Sequence, residues 1–177
     1  MLSVEFRVVV KAVILYKIES LRFHNSLLTS SLESIPTELL LVSPIKNAGT
    51  FGKQFRHILD IRKCYLDALK KGILDFYRID IDHSLENNKQ GLLEASRRIV
   101  EEICAEVSLC DNKRLEEKWV DCTPSLKYLG ENNRKINPLQ AIGLLIEHEV
   151  FHEGELALYF KSANLEFPKN WMTYGLI

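Results

Sequence analysis

Hydrophobic residues recur at intervals of three and four along four stretches of the chain, which is the spacing of an amphipathic helix. The helices predicted from this spacing cover about residues 12–32, 51–71, 89–108 and 138–163. Thr50 and Asn137 are suited to cap the second and fourth helices, and Gly72 is suited to end the second. Pro36 stops the first helix shortly before it. The pattern therefore predicts an all-α four-helix bundle.

The connections between these helices are of two kinds. Residues 73–88 are long enough to cross the bundle rather than to form a tight hairpin. Residues 110–137 carry two short apolar runs on either side of Pro124, so a small β-hairpin or an irregular excursion is expected there. No repeat, low-complexity tract or Gly/Ser linker divides the chain, and residues 1–177 are predicted to form a single domain.

Composition and charge narrow the classes of function. The chain is 46% hydrophobic and 27% charged, which is ordinary for one globular domain. Its net charge is −1 and its lysines and arginines form no basic stripe, so a nucleic-acid partner is not expected. The apolar run near the N-terminus is interrupted by Lys11, and no stretch reaches the roughly 18–20 apolar residues of a membrane span. No membrane association is expected.

The four cysteines are widely spaced and form no C-x-x-C pair. This pattern argues against a disulfide framework and against thiolate zinc ligation. Cys64 and Cys104 fall within helical apolar patterns and are predicted to be buried thiols. Reduced thiols are typical of a cytoplasmic protein, and that location is expected here.

One stripe of the predicted fourth helix combines apolar residues with two histidines. Its members are Ala141, Leu145, His148, His152, Leu156 and Tyr159. Two imidazoles one helical turn apart present their nitrogens to a single point, which is how one helix supplies two metal ligands. The alternative is that each ring is a core histidine bonded to a carbonyl. Two buried rings would each need such a partner, whereas one metal ion satisfies both.

A third ligand has to come from another histidine. His24, late in the first helix, is predicted to be exposed or to act as a cap, and His83 is predicted to lie in solvent in a loop. His57 lies in the first turns of the second helix between Phe55 and Ile58. From its neighbours alone, His57 is equally suited to core packing and to metal ligation.

Two segments resemble the DinB-like family. Residues 48–59 (AGTFGKQFRHIL) are similar to its second-helix signature, in which a polar loop leads into a helix with one ligand histidine. Residues 148–156 (HEVFHEGEL) resemble its last-helix signature, H-x-x-x-H-R-G-Q, and the tail ends in a short turn with Pro168. The resemblance implies an up-down-down-up bundle, a divalent metal on His57, His148 and His152, and a homodimer.

The chain departs from that signature at two positions. Glu153 and Glu155 stand where the family usually has arginine and glutamine. Two carboxylates make the predicted site more acidic. They would either strengthen metal retention through hydrogen bonds to the imidazoles or change the charge of the preferred substrate.

Three imidazoles leave at least one open position on a divalent ion, normally filled by water. Zinc or nickel suits such ligands, and manganese or iron remains an option. The resemblance implies a small-molecule substrate, with a low-molecular-weight thiol as one candidate. We therefore expect a metal-dependent enzyme, either a thiol-dependent S-transferase or a hydrolase. The alternatives are a bundle that its metal merely stabilises and a ligand-binding protein.

The sequence from His148 to His152 also matches H-E-x-x-H, the zinc metalloprotease pattern in which the glutamate is the general base. The further ligands that such proteases need downstream are missing, so this function is less favoured. In the bundle, Glu149 lies one position off the histidine stripe. It is predicted to point along the helix flank, as an acceptor for a ligand histidine or towards solvent. Tyr159 is a candidate to face the site.

Overall fold

The computed structural model describes the backbone of residues 4–110, 115 and 118–175, and side chains from residue 9 onwards. The α-helices are α1 (Val4–Ser34), α2 (Phe51–Lys71), α3 (Lys89–Ser108), the short α4 (Thr123–Leu126) and α5 (Pro138–Ser162). The 3-10 helices are Thr37–Leu39, His83–Asn87, Lys127–Leu129 and Lys169–Tyr174. The two strands are β1 (Val120–Asp121) and β2 (Lys135–Ile136). The protein is therefore mostly helical, as predicted.

The predicted ends of α2 and α5 are confirmed by their caps. The Thr50 side chain accepts a hydrogen bond from the Lys53 amide, and Gly72 ends α2 with φ +80°. Asn137 and Gln140 form a reciprocal capping box at the start of α5. By contrast, α1 begins eight residues earlier than predicted, because the stretch from residue 4 to 11 contains no glycine or proline to interrupt the helix.

The four long helices form a bundle in which α2 and α1 each pack against both α3 and α5. Side-chain bonds show that α2 and α5 run in opposite directions. Near the start of α2, Gln54 bonds to Tyr159, late in α5; further along α2, Arg62 bonds to Glu149. These two bonds fix the register of the α2–α5 seam.

The remaining directions follow from bonds to α3. Arg62 donates to Ser96 and Lys70 pairs with Glu102, so α2 and α3 run in the same direction. The ion pairs between α1 and α3, which run antiparallel, are Arg22–Glu101 and Glu33–Arg97. Together these directions give the up-down-down-up topology that the family resemblance implied.

The connection from α2 to α3 crosses the bundle, as its length predicted. Its 3-10 helix, His83–Asn87, packs on the first turns of α2. A Cβ atom on Gly52 would lie 1.7 Å from the Glu86 carbonyl oxygen, so only glycine permits this approach. The crossing segment is thereby held against the helix that carries His57.

The connection from α3 to α5 contains the small β-structure that was one of the two expected arrangements. Strand β1 pairs antiparallel with β2, with Val120 opposite Ile136. Both of these side chains are buried, and a bridge from Ile73 to Asp121 joins the sheet to the end of α2. The sheet therefore closes one end of the bundle.

All four cysteines are buried and none is in a disulfide, as predicted for Cys64 and Cys104. At the other end of the bundle, Trp171 is buried and its indole nitrogen donates to Ser31 at 2.9 Å. Of the helices in the described part of the chain, none has both the length and the apolarity needed to cross a membrane.

Candidate metal centre

The structure brings His57, His148 and His152 together in the seam between α2 and α5. One ring nitrogen from each lies within 4.8 Å of the other two. The Nε2 atoms of His148 and His152 are 3.1 Å apart, and the His57 ring meets the His152 ring edge-on at 4.9 Å between centroids. His152 is buried, whereas His57 and His148 are half-buried, so the cluster is partly accessible to solvent. Two helices thus place three imidazoles around one point.

The electrostatics of the cluster favour neutral imidazoles. Burial, followed by the neighbouring His152 and His57, lowers the pKa of His148 to about 3. Burial, His152 and Arg56 lower the pKa of His57. Both rings are therefore uncharged near neutral pH and keep a nitrogen lone pair, which is the form that binds a metal.

This arrangement fits a divalent transition-metal ion. Zinc–nitrogen bonds of about 2.0–2.1 Å around a tetrahedral ion separate the ligand atoms by roughly 3.3 Å. The 3.1 Å between the Nε2 atoms of His148 and His152 is close to that separation. All three candidate nitrogens lie within 4.8 Å of one another, so His57 completes the set once its nitrogen closes to the same separation. The donor set leaves room for a further ligand from solvent.

Polar bonds hold the α2–α5 seam on either side of the cluster. On one side, the Tyr159 hydroxyl donates to the Gly49 carbonyl and accepts from Gln54. On the other side, Arg62 forms a bidentate pair with Glu149. These hydrogen bonds, together with packing, therefore fix the position of His57 along the seam relative to the histidines of α5. Tyr159, a candidate to face the site, is committed to anchoring the start of α2.

The prediction for Glu149 is wrong. Its side chain is fully buried and its two oxygens accept from Arg62 at 2.6 and 3.0 Å, so it neither points to solvent nor accepts from a histidine. A general base needs a free carboxylate beside the metal. The structure thus removes the residue on which the metalloprotease interpretation depends.

The prediction for His24 is also wrong, whereas the one for His83 is confirmed. His24 is buried between α1 and α5, and its Nδ1 lies 2.9 Å from a Glu153 oxygen. The other Glu153 oxygen accepts from Tyr174 at 3.0 Å. The register of two parallel helices buries this group, which the isolated sequence of α1 does not show. The His83 side chain is largely exposed beside Glu86.

Glu153 and Glu155, which replace the family's arginine and glutamine, have different hydrogen-bond partners. Glu155 lies 2.6 Å from the Nδ1 atom of His152, so it bonds to a candidate ligand. Glu153 is turned towards α1, where it bonds to His24. Gly154, between them, is exposed, and a Cβ atom there would meet nothing within 4 Å. Close packing therefore does not explain this glycine.

Charged residues buried in α2 were not anticipated from the sequence. Arg56 bonds to Asp60 and to Glu86, and Arg62 bonds to Glu149, Asn25 and Ser96. A signal was present for Arg62, which follows Phe55, Ile58 and Leu59 at core spacing. A charge on an apolar stripe indicates a buried partner.

Comparison with known proteins places the chain in a family. The model of the DinB family matches residues 14–169. Among solved structures, a DinB-like protein of Bacillus subtilis is 17% identical with a TM-score of 0.65, over 88% of this chain and 97% of that one. A DinB-like protein of Bacillus cereus ATCC 10987 is 16% identical with a TM-score of 0.63, over 86% of this chain and 93% of the other.

At these identities the two structures support the fold alone. No curated protein matches the chain significantly. The family model, however, spans most of the chain and includes all three histidines of the cluster. The all-α, up-down-down-up bundle agrees with the solved structures as well. The chain belongs to the DinB family.

Proposed function

We propose that the protein is a metal-dependent enzyme that holds a divalent transition metal, zinc or nickel, on His57, His148 and His152. The observation that carries the proposal is the convergence of three imidazole nitrogens from two helices within 4.8 Å. The lowered pKa values of His57 and His148 support it, because an uncharged imidazole keeps a nitrogen lone pair for a metal.

The incomplete burial of the cluster supports a catalytic rather than a purely structural role. Structural zinc sites are usually closed by four protein ligands, and catalytic ones keep a position for water or substrate. Here the described residues supply three nitrogens, and two of the three rings are half-buried. A bound ion would supply Lewis-acid chemistry, lowering the pKa of a water molecule or of a thiol at its open position.

The protein's own residues would orient and shield that chemistry. The Tyr159 and Arg62–Glu149 anchors keep the imidazoles at fixed positions on α2 and α5. Phe151, 63% exposed and 5.4 Å from the His152 ring, gives the mouth of the site an apolar edge. We propose a small-molecule substrate with a low-molecular-weight thiol as the co-substrate for S-transfer, or water as the co-substrate for hydrolysis.

The thiol proposal is tested directly with cobalt-substituted protein. Titration with 2-mercaptoethanol should produce a near-ultraviolet thiolate-to-cobalt absorption band, because an open position accepts the thiolate. A His57→Ala variant reports whether the band depends on the three-histidine site. A cobalt protein whose spectrum does not change with thiol would contradict the thiol-transferase proposal. If that protein also unfolds on chelation, the metal is structural.

We also propose that the protein is a homodimer, as the family resemblance implies. Helices α1 and α5 lie side by side and carry exposed apolar residues, together called the α1–α5 apolar face: Val9, Val13, Tyr16, Phe23, Val150 and Leu158. Several exposed apolar side chains on two neighbouring helices are a feature of protein interfaces. A second copy of the chain is the proposed occupant. A cytoplasmic location is proposed as well, supported by four cysteines outside any disulfide.

A further inference from the structure

Two glutamates distinguish this chain from the family signature, and Glu155 is the one that bonds to the histidine cluster. Its Oε2 atom lies 2.6 Å from Nδ1 of His152, one turn back on the same helix. The His152 side chain is 8% exposed and that of Glu155 is 34% exposed, so the bond is partly shielded from water. A short bond to a carboxylate in such a place is stronger than a neutral one.

This bond determines which nitrogen of His152 carries the proton. A carboxylate oxygen only accepts, so Nδ1 of His152 must donate. In the neutral ring, Nε2 then keeps its lone pair, and Nε2 is the atom that lies 3.1 Å from Nε2 of His148. The Nδ1–H tautomer of His152 therefore presents a lone pair to the centre of the cluster.

His148 provides the contrast. Its Nδ1 atom is buried and has no hydrogen-bond partner among the residues that the structure describes. Because Nε2 of His152 accepts, Nε2 of His148 donates across the 3.1 Å contact, and its proton has to leave Nε2 before that atom can ligate. The two histidines of α5 thus differ at Nε2: that atom carries a lone pair in His152 and a proton in His148.

We propose that Glu155 is a positioning residue of the metal centre, holding His152 in the Nδ1–H tautomer and raising its strength as a metal ligand. The inference rests on the proposed metal site. Carboxylates that accept from a ligand histidine fix the orientation of the ring and increase its basicity. The family's usual glutamine offers an acceptor at this position without the charge, so this chain is expected to retain its metal more tightly than a glutamine variant.

The other acids of α5 serve as comparisons. Glu153 accepts from His24 and Tyr174 on the side of the helix that faces α1. Glu147 is exposed and adjacent to His148 in the sequence, so it contributes charge near the site without Glu155's bond to His152. Glu147→Gln is therefore a matched control for a general effect of negative charge.

The experiment compares Glu155→Gln, Glu155→Ala and Glu147→Gln with the wild-type protein. The zinc dissociation constant is measured by competition with a chromophoric chelator. Glu155→Ala should weaken zinc binding about 10–100-fold, and Glu155→Gln should recover part of that loss because its carbonyl oxygen still accepts from Nδ1. Glu147→Gln should remain within about threefold of wild type.

The tautomer is measured independently in the metal-free proteins from the ¹⁵N shifts of the His152 ring. The wild-type protein and Glu155→Gln should show Nδ1–H, and Glu155→Ala should show a mixture with Nε2–H. If Glu155→Ala binds zinc as tightly as wild type, or Glu147→Gln loses as much affinity, the inference is overturned and the proposed function stands. If the wild-type protein binds no metal, both are overturned.

Discussion

Arg62 of α2 and Glu149 of α5 form a bidentate ion pair in the interior of the bundle, with nitrogen–oxygen distances of 2.6 and 3.0 Å. Asn25 of α1 and Ser96 of α3 complete the bonds of the guanidinium group. One buried cation is thus bonded to all three of its neighbouring long helices. A buried, satisfied network of this kind fixes the relative register of the helices, including the two that carry the candidate ligands.

Removing one partner of this pair should destabilise the protein strongly. Glu149→Leu leaves the Arg62 charge buried and unpaired, which costs about 3–5 kcal/mol in the free energy of unfolding. The double variant Arg62→Met, Glu149→Leu should lose less than Glu149→Leu alone, because no charge is stranded. Urea unfolding measures both. A double variant that loses as much stability as Glu149→Leu, or a Glu149→Leu protein as stable as wild type, would contradict the assigned role of the pair.

Substitution by alanine should destabilise the protein at Gly52 and stabilise it at Gly154. At Gly52 the added Cβ atom would overlap the Glu86 carbonyl, so Gly52→Ala should cost about 1–3 kcal/mol by displacing the crossing segment. At Gly154 the space is open inside a helix, so Gly154→Ala should stabilise by about 0.5–1 kcal/mol. Thermal unfolding of the two variants checks this. Equal shifts in the same direction would show that the crossing segment does not pack on α2 as described.

The chain's own cysteines should be unreactive, which would make an external thiol the reactant in any S-transfer. Burial, with smaller contributions from Asp60, Asp67 and Asp75, raises the pKa of Cys64 to about 11. At pH 8 this leaves roughly one Cys64 thiol in a thousand ionised, and the thiolate is the reactive form. A thiol reagent at pH 8 should therefore label the protein in urea but not in its folded state. Rapid labelling of Cys64 in the folded protein would contradict its burial.

The same shift sets a dependence of stability on pH. The folded-state pKa of Cys64 lies above its ordinary value of 9.0, so its contribution to stability is complete below pH 9. It is lost as the pH rises from 9 towards about 11, because the unfolded chain releases the proton first. Between pH 8 and pH 11, the free energy of unfolding should fall by about 2 kcal/mol more in the wild-type protein than in Cys64→Ser. Identical pH dependence in the two proteins would refute this assignment.

Much of the fold could be predicted because it depends on local signals. Helical spacing and the caps Thr50, Gly72 and Asn137 place the ends of α2 and α5 without knowledge of the neighbouring helices. The His148 and His152 pair is local as well, because one helical turn brings the two rings together. His57 was different, since its neighbours suited core packing equally well and only the family resemblance selected it.

The predictions for Glu149 and His24 were wrong because the surroundings of these residues depend on the register between helices. Glu149 follows Ile142 and Leu145 at core spacing, yet only the position of α2 shows that Arg62 meets it. His24 is buried because Glu153 of the parallel helix α5 lies opposite. For both Arg62–Glu149 and His24–Glu153, the signal in the sequence was an ionisable residue on an apolar helix face. Using that signal requires knowing which faces of two different helices pack together.

The proposed homodimer predicts a specific effect of charge on the α1–α5 apolar face. Tyr16 is 66% exposed on α1, and Tyr16→Lys should convert the dimer to a monomer, because it places a charge in a surface that excludes water. Leu129→Lys is the matched control, since Leu129 is 79% exposed and belongs to the 3-10 helix Lys127–Leu129, outside the two helices that carry that face. Size-exclusion chromatography with light scattering gives the mass. A monomeric wild-type protein would end the proposal.

The proposed three-histidine metal centre is tested by elemental analysis of the purified, untagged protein. The protein should contain about one equivalent of a transition metal, zinc or nickel, for each chain. A His148→Ala, His152→Ala double variant should contain none, whereas His83→Ala, which changes an exposed histidine outside the cluster, should retain the full amount. Wild-type protein that remains metal-free even after zinc or nickel is added would contradict the proposed metal centre and leave a helical bundle with three clustered histidines.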